Sequence, residues 1–138
     1  MLVFDSLTVS AIFASAWDAI PLEMCGLLAG PAGGDRVAHF YPCRNAARSA
    51  RVYAVDSKDF LRADRDSEKQ GWEILGVVHS HTHTPAYPSP TDVSQAPDPA
   101  WHYAIVSLCD GAAVLRSYAI ESGAAGNIVE EAVVVING

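Results

Sequence analysis

A chain of 138 residues, half of them apolar and 18% charged, fits one domain with enough apolar side chain to offset chain entropy, which excludes a multidomain machine and wholesale disorder. Nine Lys and Arg against sixteen Asp and Glu leave a formal charge of −7, and long-range repulsion then argues against nucleic acid and anionic membrane as partners. The first basic residue is Arg36, and Asp18 and Glu23 interrupt the most apolar N-terminal stretch, so neither a signal peptide nor a membrane span is expected and the reading is a soluble cytoplasmic protein.

In chain order, Ser6 is the expected cap of a helix over about 7–18, because Val9, Ile12, Phe13, Ala16 and Trp17 recur at helical spacing, and Pro21 ends it. Residues 24–29 are short and apolar and run into the turn Gly30-Pro31-Ala32-Gly33-Gly34, which predicts a buried strand turning into a second strand over 36–41. A further strand is expected over 51–55. Asp56 or Ser57 then caps a charged, largely solvated helix through Gln70 that stops at Gly71. Residues 72–78 read as a central strand leading straight into His79-Ser80-His81-Thr82-His83. Three prolines make 84–90 an ordered loop, and Pro90 opens a short helix near 91–96. Strands over 103–109 and 113–120 flank the hairpin signal Asp110-Gly111, and a last strand covers 127–136. The expected fold is α+β: one domain over 1–138, with a mixed, mostly antiparallel sheet and two or three helices.

Three cysteines, Cys25, Cys43 and Cys109, are an odd number without CxxC spacing, a poor framework for disulfides or for a zinc-thiolate site. All three read as packing residues. Cys25 beside Glu23 is a weak nucleophile candidate, because an apolar strand favours the neutral thiol. Trp72 and Trp101 read as core rather than as a platform for stacked bases.

A metal, if held, therefore needs His and carboxylate ligands. His79 and His81 alternate at the end of a strand, so both imidazoles can aim at one point, and Asp92 follows in the same loop at the start of a helix. Two imidazoles, one carboxylate and a fourth position left for water form the ligand set of a catalytic zinc. The plainer alternative is a hydrogen-bonded surface turn of histidines. Such a site also needs a base. Glu23 is the candidate, because it is the acid between Asp18 and Asp35 and stands where a helix meets an apolar strand, where burial raises a carboxyl pKa toward neutrality. The alternative is an exposed glutamate at a helix–strand junction.

Taken together, Glu23, Cys25-Gly26-Leu27-Leu28, His79-Ser80-His81, Ser89 and Asp92 resemble the signature of the JAMM (MPN+) metalloproteases: Glu, a distant His-x-His, seven residues, Ser, two residues, Asp. Starting instead from His81 and His83 would require Ser at 91 and Asp at 94, where Thr91 and Ser94 stand. His83 is thus a spectator. Asn45, Tyr53 and Asp56 also match the family's pattern, and the resemblance spans nearly the whole chain. It implies an MPN-like domain with one zinc per chain on His79, His81 and Asp92, Glu23 as general base and then acid, and Ser89 as donor to the oxyanion. Thr82 stands where many eukaryotic members carry Pro, so the substrates of deubiquitinases are not carried over in detail.

The compact chain, its His-Ser-His-Thr motif and the run Ala86-Tyr87-Pro88-Ser89-Pro90-Thr91-Asp92 are similar to the bacterial-type branch that frees cysteine from the Gly-Gly C-terminus of a ubiquitin-like sulfur-carrier protein. An extended glycine tail suits a sheet edge and a narrow channel. Tyr87, Tyr53 and the 51–55 edge are the expected substrate contacts, and a homodimer stays open. The alternatives are a broader deubiquitinase-like isopeptidase, a non-catalytic MPN scaffold that only binds partners, and an unrelated zinc hydrolase of small molecules.

Overall fold

A computed structural model describes residues 1–121 and 127–137. The chain forms β1 (Leu2–Asp5), α1 (Ser6–Ala19), β2 (Cys25–Pro31), β3 (His39–Cys43), α2 (Ser57–Lys69), β4 (Trp72–His81), α3 (Pro90–Ser94), β5 (His102–Ser107), β6 (Val114–Ile120), β7 (Ile128–Glu131) and β8 (Val133–Ile136). Six strands form one sheet in the order β3-β2-β4-β5-β6-β7, and β1 and β8 form a separate parallel pair. Within the larger sheet only β4 and β5 run parallel. The mixed, mostly antiparallel α+β architecture is the one expected.

β2, β4 and β5 are apolar on both sides because both faces of the sheet are covered. On one face Leu28, Val78, Ala104 and Val106 pack with Ile12 and Ala16 of α1 and with Leu2 and Phe4 of β1. On the other, Leu27, Val77, Tyr103 and Ile105 pack with Ala63 of α2, joined by the half-buried Phe60 and Trp101. Val77, His79 and His81 alternate along β4, so the two imidazoles belong to the α2 face and Ser80 to the α1 face. Gly76 lies where β4 passes β5 so closely that a Cβ would collide with the backbone carbonyl of His102.

Several local expectations are corrected. The cap of α1 is Asp5, whose carboxylate accepts the Thr8 N–H at 2.7 Å, rather than Ser6. Trp17 is 44% exposed, because it sits well round the helix from the buried Ile12. The second strand of the meander begins at His39, not Arg36. Residues 51–55 form no strand: a single bridge joins Asn45 to Val55, and the segment is held by a side chain instead. The last expected strand is two, β7 and β8, belonging to different sheets, and β1, a strand the sequence reading does not include, pairs with β8. The helix over 57–69 has Asp56 as its cap, accepting the Asp59 N–H at 3.1 Å, and α3 starts at Pro90 as expected. Among the described residues no helix is long and apolar enough to cross a membrane.

Candidate metal centre and active site

β4 delivers His79 and His81 to the mouth of the sheet, and α3 brings the third group. Ser89 caps α3 reciprocally: its Oγ accepts the Asp92 N–H at 3.1 Å, and its own N–H donates to Asp92 Oδ2 at 2.9 Å. This exchange turns the Asp92 carboxylate back toward the strand. His79 Nε2 and His81 Nε2 lie 3.1 Å apart, and Asp92 Oδ2 lies 3.2 Å from the first and 3.1 Å from the second. All three side chains are buried, and together they form a group that could hold a metal ion.

The chemistry of these atoms fits a cation. The His81 Nδ1–H donates to the carbonyl of Pro85 at 2.9 Å, which leaves a lone pair on Nε2 of the neutral ring. That lone pair faces a carboxylate oxygen, and two acceptors repel unless a proton or a cation sits between them. Burial would push Asp92 upward, but where protons fill that place the hydrogen bonds from the two imidazoles, with the Ser89 N–H, outweigh it and hold the carboxyl well below the usual range. Burial lowers His79. For His81 the same burial is overcome by Asp92 and Pro85, and its pKa is raised. His79 Nδ1 is buried without a partner among the described residues. The His79 ring is held instead by Tyr53, which stacks on it at 4.2 Å between centroids and 20° between planes.

Glu23 stands between α1 and β2, 3% exposed, with Oε1 buried and unpartnered among the described residues. Burial raises its pKa to about 7, with Asp92 adding to the shift and His81 opposing it. Its place is fixed by its neighbours. Met24 N–H donates to Ser80 Oγ at 2.7 Å and Ser80 N–H donates to Met24 O at 2.9 Å, so the residue between the two histidines ties the Glu23 segment to their strand. On the other side Glu23 N–H donates to Ser49 O at 2.8 Å, and the Asn45 amide donates to Glu23 O at 3.2 Å. Ser80 went unnoticed in the sequence, where nothing but its place inside His-x-His marks it.

The remaining candidates divide. Ser89 accepts through Oγ and donates its hydroxyl hydrogen to no described residue. Tyr53, Val55, Phe60, Pro97 and Trp101 line a largely apolar groove of about 500 Å³ beside His79. Tyr87 lies outside that lining, 56% exposed, with its ring edge-on to Tyr118 at 5.5 Å. His83 is exposed and takes no part in the cluster. Burial pushes the Cys25 thiol up to about 12 and that of Cys43 to about 11, which makes both poor nucleophiles.

Residues 6–121 match the family model described as prokaryotic homologs of the JAB domain. The chain is 42% identical over 137 residues, 99% of its own length and 92% of the relative's, to the CysO-cysteine peptidase of Mycobacterium tuberculosis. It is 34% identical over 104 residues to the desampylase of Haloferax volcanii, covering 75% of this chain and 74% of that one. A protein of Desulfitobacterium hafniense, known from a solution structure, superposes with a TM-score of 0.89 at 35% identity, over 100% of this chain and 94% of that one. The chain belongs to the prokaryotic JAB-domain family.

Proposed function

We propose that residues 1–138 are the domain of a zinc-dependent peptidase that hydrolyses the bond after the Gly-Gly C-terminus of a ubiquitin-like sulfur-carrier protein and releases cysteine. The observation that carries this reading is the convergence of three buried ligand atoms, His79 Nε2, His81 Nε2 and Asp92 Oδ2, near an unpartnered buried carboxylate at Glu23. The similarity to a CysO-cysteine peptidase over nearly the full length of both chains supports the substrate class.

His79, His81 and Asp92 would hold one zinc per chain, which when bound polarises the scissile carbonyl and acidifies water. Glu23, with a pKa near neutrality, takes the proton of the attacking water and hands it to the leaving amine. Ser89 is fixed by its bond from Asp92 N–H and keeps its hydroxyl hydrogen for the carbonyl oxygen as that atom gains charge, a contribution of a few kcal/mol, about 3. Tyr53 braces His79 and borders the groove along which an extended tail approaches, and Tyr87 stands exposed in the loop before α3 as a contact for the carrier.

The test is hydrolysis of a purified carrier bearing cysteine at its C-terminus, with the carrier joined to a lysine side chain as competitor. Zinc-dependent release of cysteine that stops with chelator is expected. Cleavage of the lysine conjugate alone would make the protein a broader isopeptidase, and retention of the carrier without cleavage would make it a scaffold.

A further inference from the structure

The proton relay just proposed places the leaving amine at Glu23, because the carboxyl that protonates it must stand within hydrogen-bond reach. Glu23 also lines a second cleft of about 420 Å³, with Asp18, Cys25, Arg44, Asn45 and Arg48 among others and none of the three proposed metal ligands. Its cations are unusual for this chain. No acidic residue occurs between Asp35 and Asp56, whereas Arg44, Arg48 and Arg51 all fall there. Among the described residues no carboxylate lies within 4.0 Å of the guanidinium of Arg44 or Arg48; the arginines that are paired are Arg62 and Arg116.

Arg48 is also the non-glycine residue with positive φ among the described residues, at 47°. That conformation costs about 1–2 kcal/mol and persists only where its surroundings over-determine it. Here they do. The Asn45 amide donates to the carbonyls of Glu23, Ser49 and Val52 at 3.2, 3.3 and 3.0 Å, and Asn45 Oδ1 accepts the N–H groups of Ala47 and Ala54, both at 3.0 Å. Arg48 N–H closes the turn on Asn45 O at 3.0 Å. Asn45, through its backbone carbonyl and its side chain, thus ties the Arg48 turn to the backbone of Glu23, a residue that lines the same cleft and whose Oε1 has no partner among the described residues.

We propose that this cleft receives the leaving residue and that Arg48 binds its free α-carboxylate, so the enzyme is selective for a terminal amino acid over a protein lysine. This rests on the hydrolase reading above. A C-terminal residue carries a carboxylate one carbon from the scissile nitrogen, where a lysine side chain carries only methylene, and a charge-assisted bond from guanidinium to that carboxylate accounts for the preference.

The experiment compares kcat/KM on carrier adducts ending in cysteine or in cysteine amide, for the zinc-loaded protein and for Arg48→Gly, which suits the positive φ and removes the guanidinium. The acid should be preferred by about tenfold or more. In Arg48→Gly the ratio should collapse toward unity, with partial recovery in Arg48→Lys. A parallel titration followed by NMR uses S-methyl-L-cysteine and its amide, which requires no cleavage. The acid should shift signals of residues 44–49, and the amide should not. Equal kcat/KM on the two adducts, a ratio that survives in Arg48→Gly, or indistinguishable titrations would overturn the proposal. If neither adduct is cut, the hydrolase reading fails, and the titration alone decides the cleft.

Discussion

The two walls of the site are built by opposite means. On the ligand side, His79 and His81 stand on a central strand hydrogen-bonded to both neighbours, and Asp92 is locked by a reciprocal cap, so each donor is placed by backbone structure. On the side of the proposed leaving-group cleft, residues 44–55 contain neither helix nor strand, and their course depends on the carboxamide of Asn45 and on backbone bonds to Glu23 and Ala54. The ligand wall is therefore rigid by architecture, and the loop wall is rigid only while a few bonds hold. That difference suits the proposed tasks: a metal needs fixed geometry, and a leaving group needs a wall that can yield.

The largest effect is expected from Asp92→Ala. It removes a ligand oxygen, and it also removes the acceptor of the Ser89 N–H and hence half of the cap of α3. The cap costs about 1 kcal/mol, and the variant should purify without metal and without activity. Elemental analysis checks it. Full metal occupancy in Asp92→Ala would show that the strand alone defines the ligand wall.

Glu23→Gln should keep its metal and lose hydrolysis by about two orders of magnitude. Its stability should move the other way. Burial raises Glu23 from 4.5 to about 7, so the unfolded chain gives up this proton before the folded one, and the folded state loses ground as pH rises from about 4.5 to about 7. Gln carries no such penalty. Metal-free Glu23→Gln should therefore melt at the same temperature as the unaltered protein below about pH 4.5, and higher above pH 7, with the gap constant from there. Thermal melts across that range test it, and a gap that widens toward low pH would contradict the buried carboxylate.

The ligand wall was legible in the sequence and the loop wall was not. The spacing from His79 through Ser89 to Asp92 could be read because strand alternation and a helix cap turn spacing directly into direction. Residues 51–55 misled because Val52, Tyr53 and Val55 carry strand propensity, while the structure gives their backbone a single bridge and an asparagine. A side chain that bonds across seven and nine positions leaves no periodic mark. The same holds for Ser80, whose bond to Met24 spans 56 positions. The split of the last strand into β7 and β8 was nearly as hidden, since no Gly or Pro interrupts Ile128 to Ile136, Glu130-Glu131-Ala132 weakens the strand pattern only slightly, and it is the tertiary pairing that divides it.

Asn45→Ala should give a smaller, more local effect. The two hydrogens of its carboxamide are shared among three carbonyls, and its oxygen accepts two N–H groups, so losing it should cost about 1–3 kcal/mol. The opening should be confined to the loop. Amide exchange should quicken over 46–54 while the protons of β4 keep their protection, and metal content should stay full. Activity should fall about tenfold, since mispositioning of the leaving group acts on rate without removing the chemistry. Loss of metal here would mean that the loop wall, through Tyr53 stacked on His79, supports the ligands as much as the strand does.

The smallest effect is expected at His83, and it tests the ligand wall most finely. β4 ends at His81, and from Thr82 onward the chain leaves the sheet, so the alternation that aligns 79 with 81 no longer applies two residues later. Leu108 N–H donates to His81 O at 3.0 Å and Ser107 Oγ donates to Thr84 O at 2.6 Å, which bends the departing chain toward the end of β5 and leaves the His83 ring exposed. A third imidazole is thus present in the sequence motif and absent from the cluster for a backbone reason. His83→Ala should retain metal and nearly all activity, and surface substitutions of this kind change stability by about 0.5 kcal/mol or less. His79→Ala, made alongside, should lose the metal. If His83→Ala loses it and His79→Ala does not, the ligand pair is shifted by two residues and the strand does not place the donors as argued.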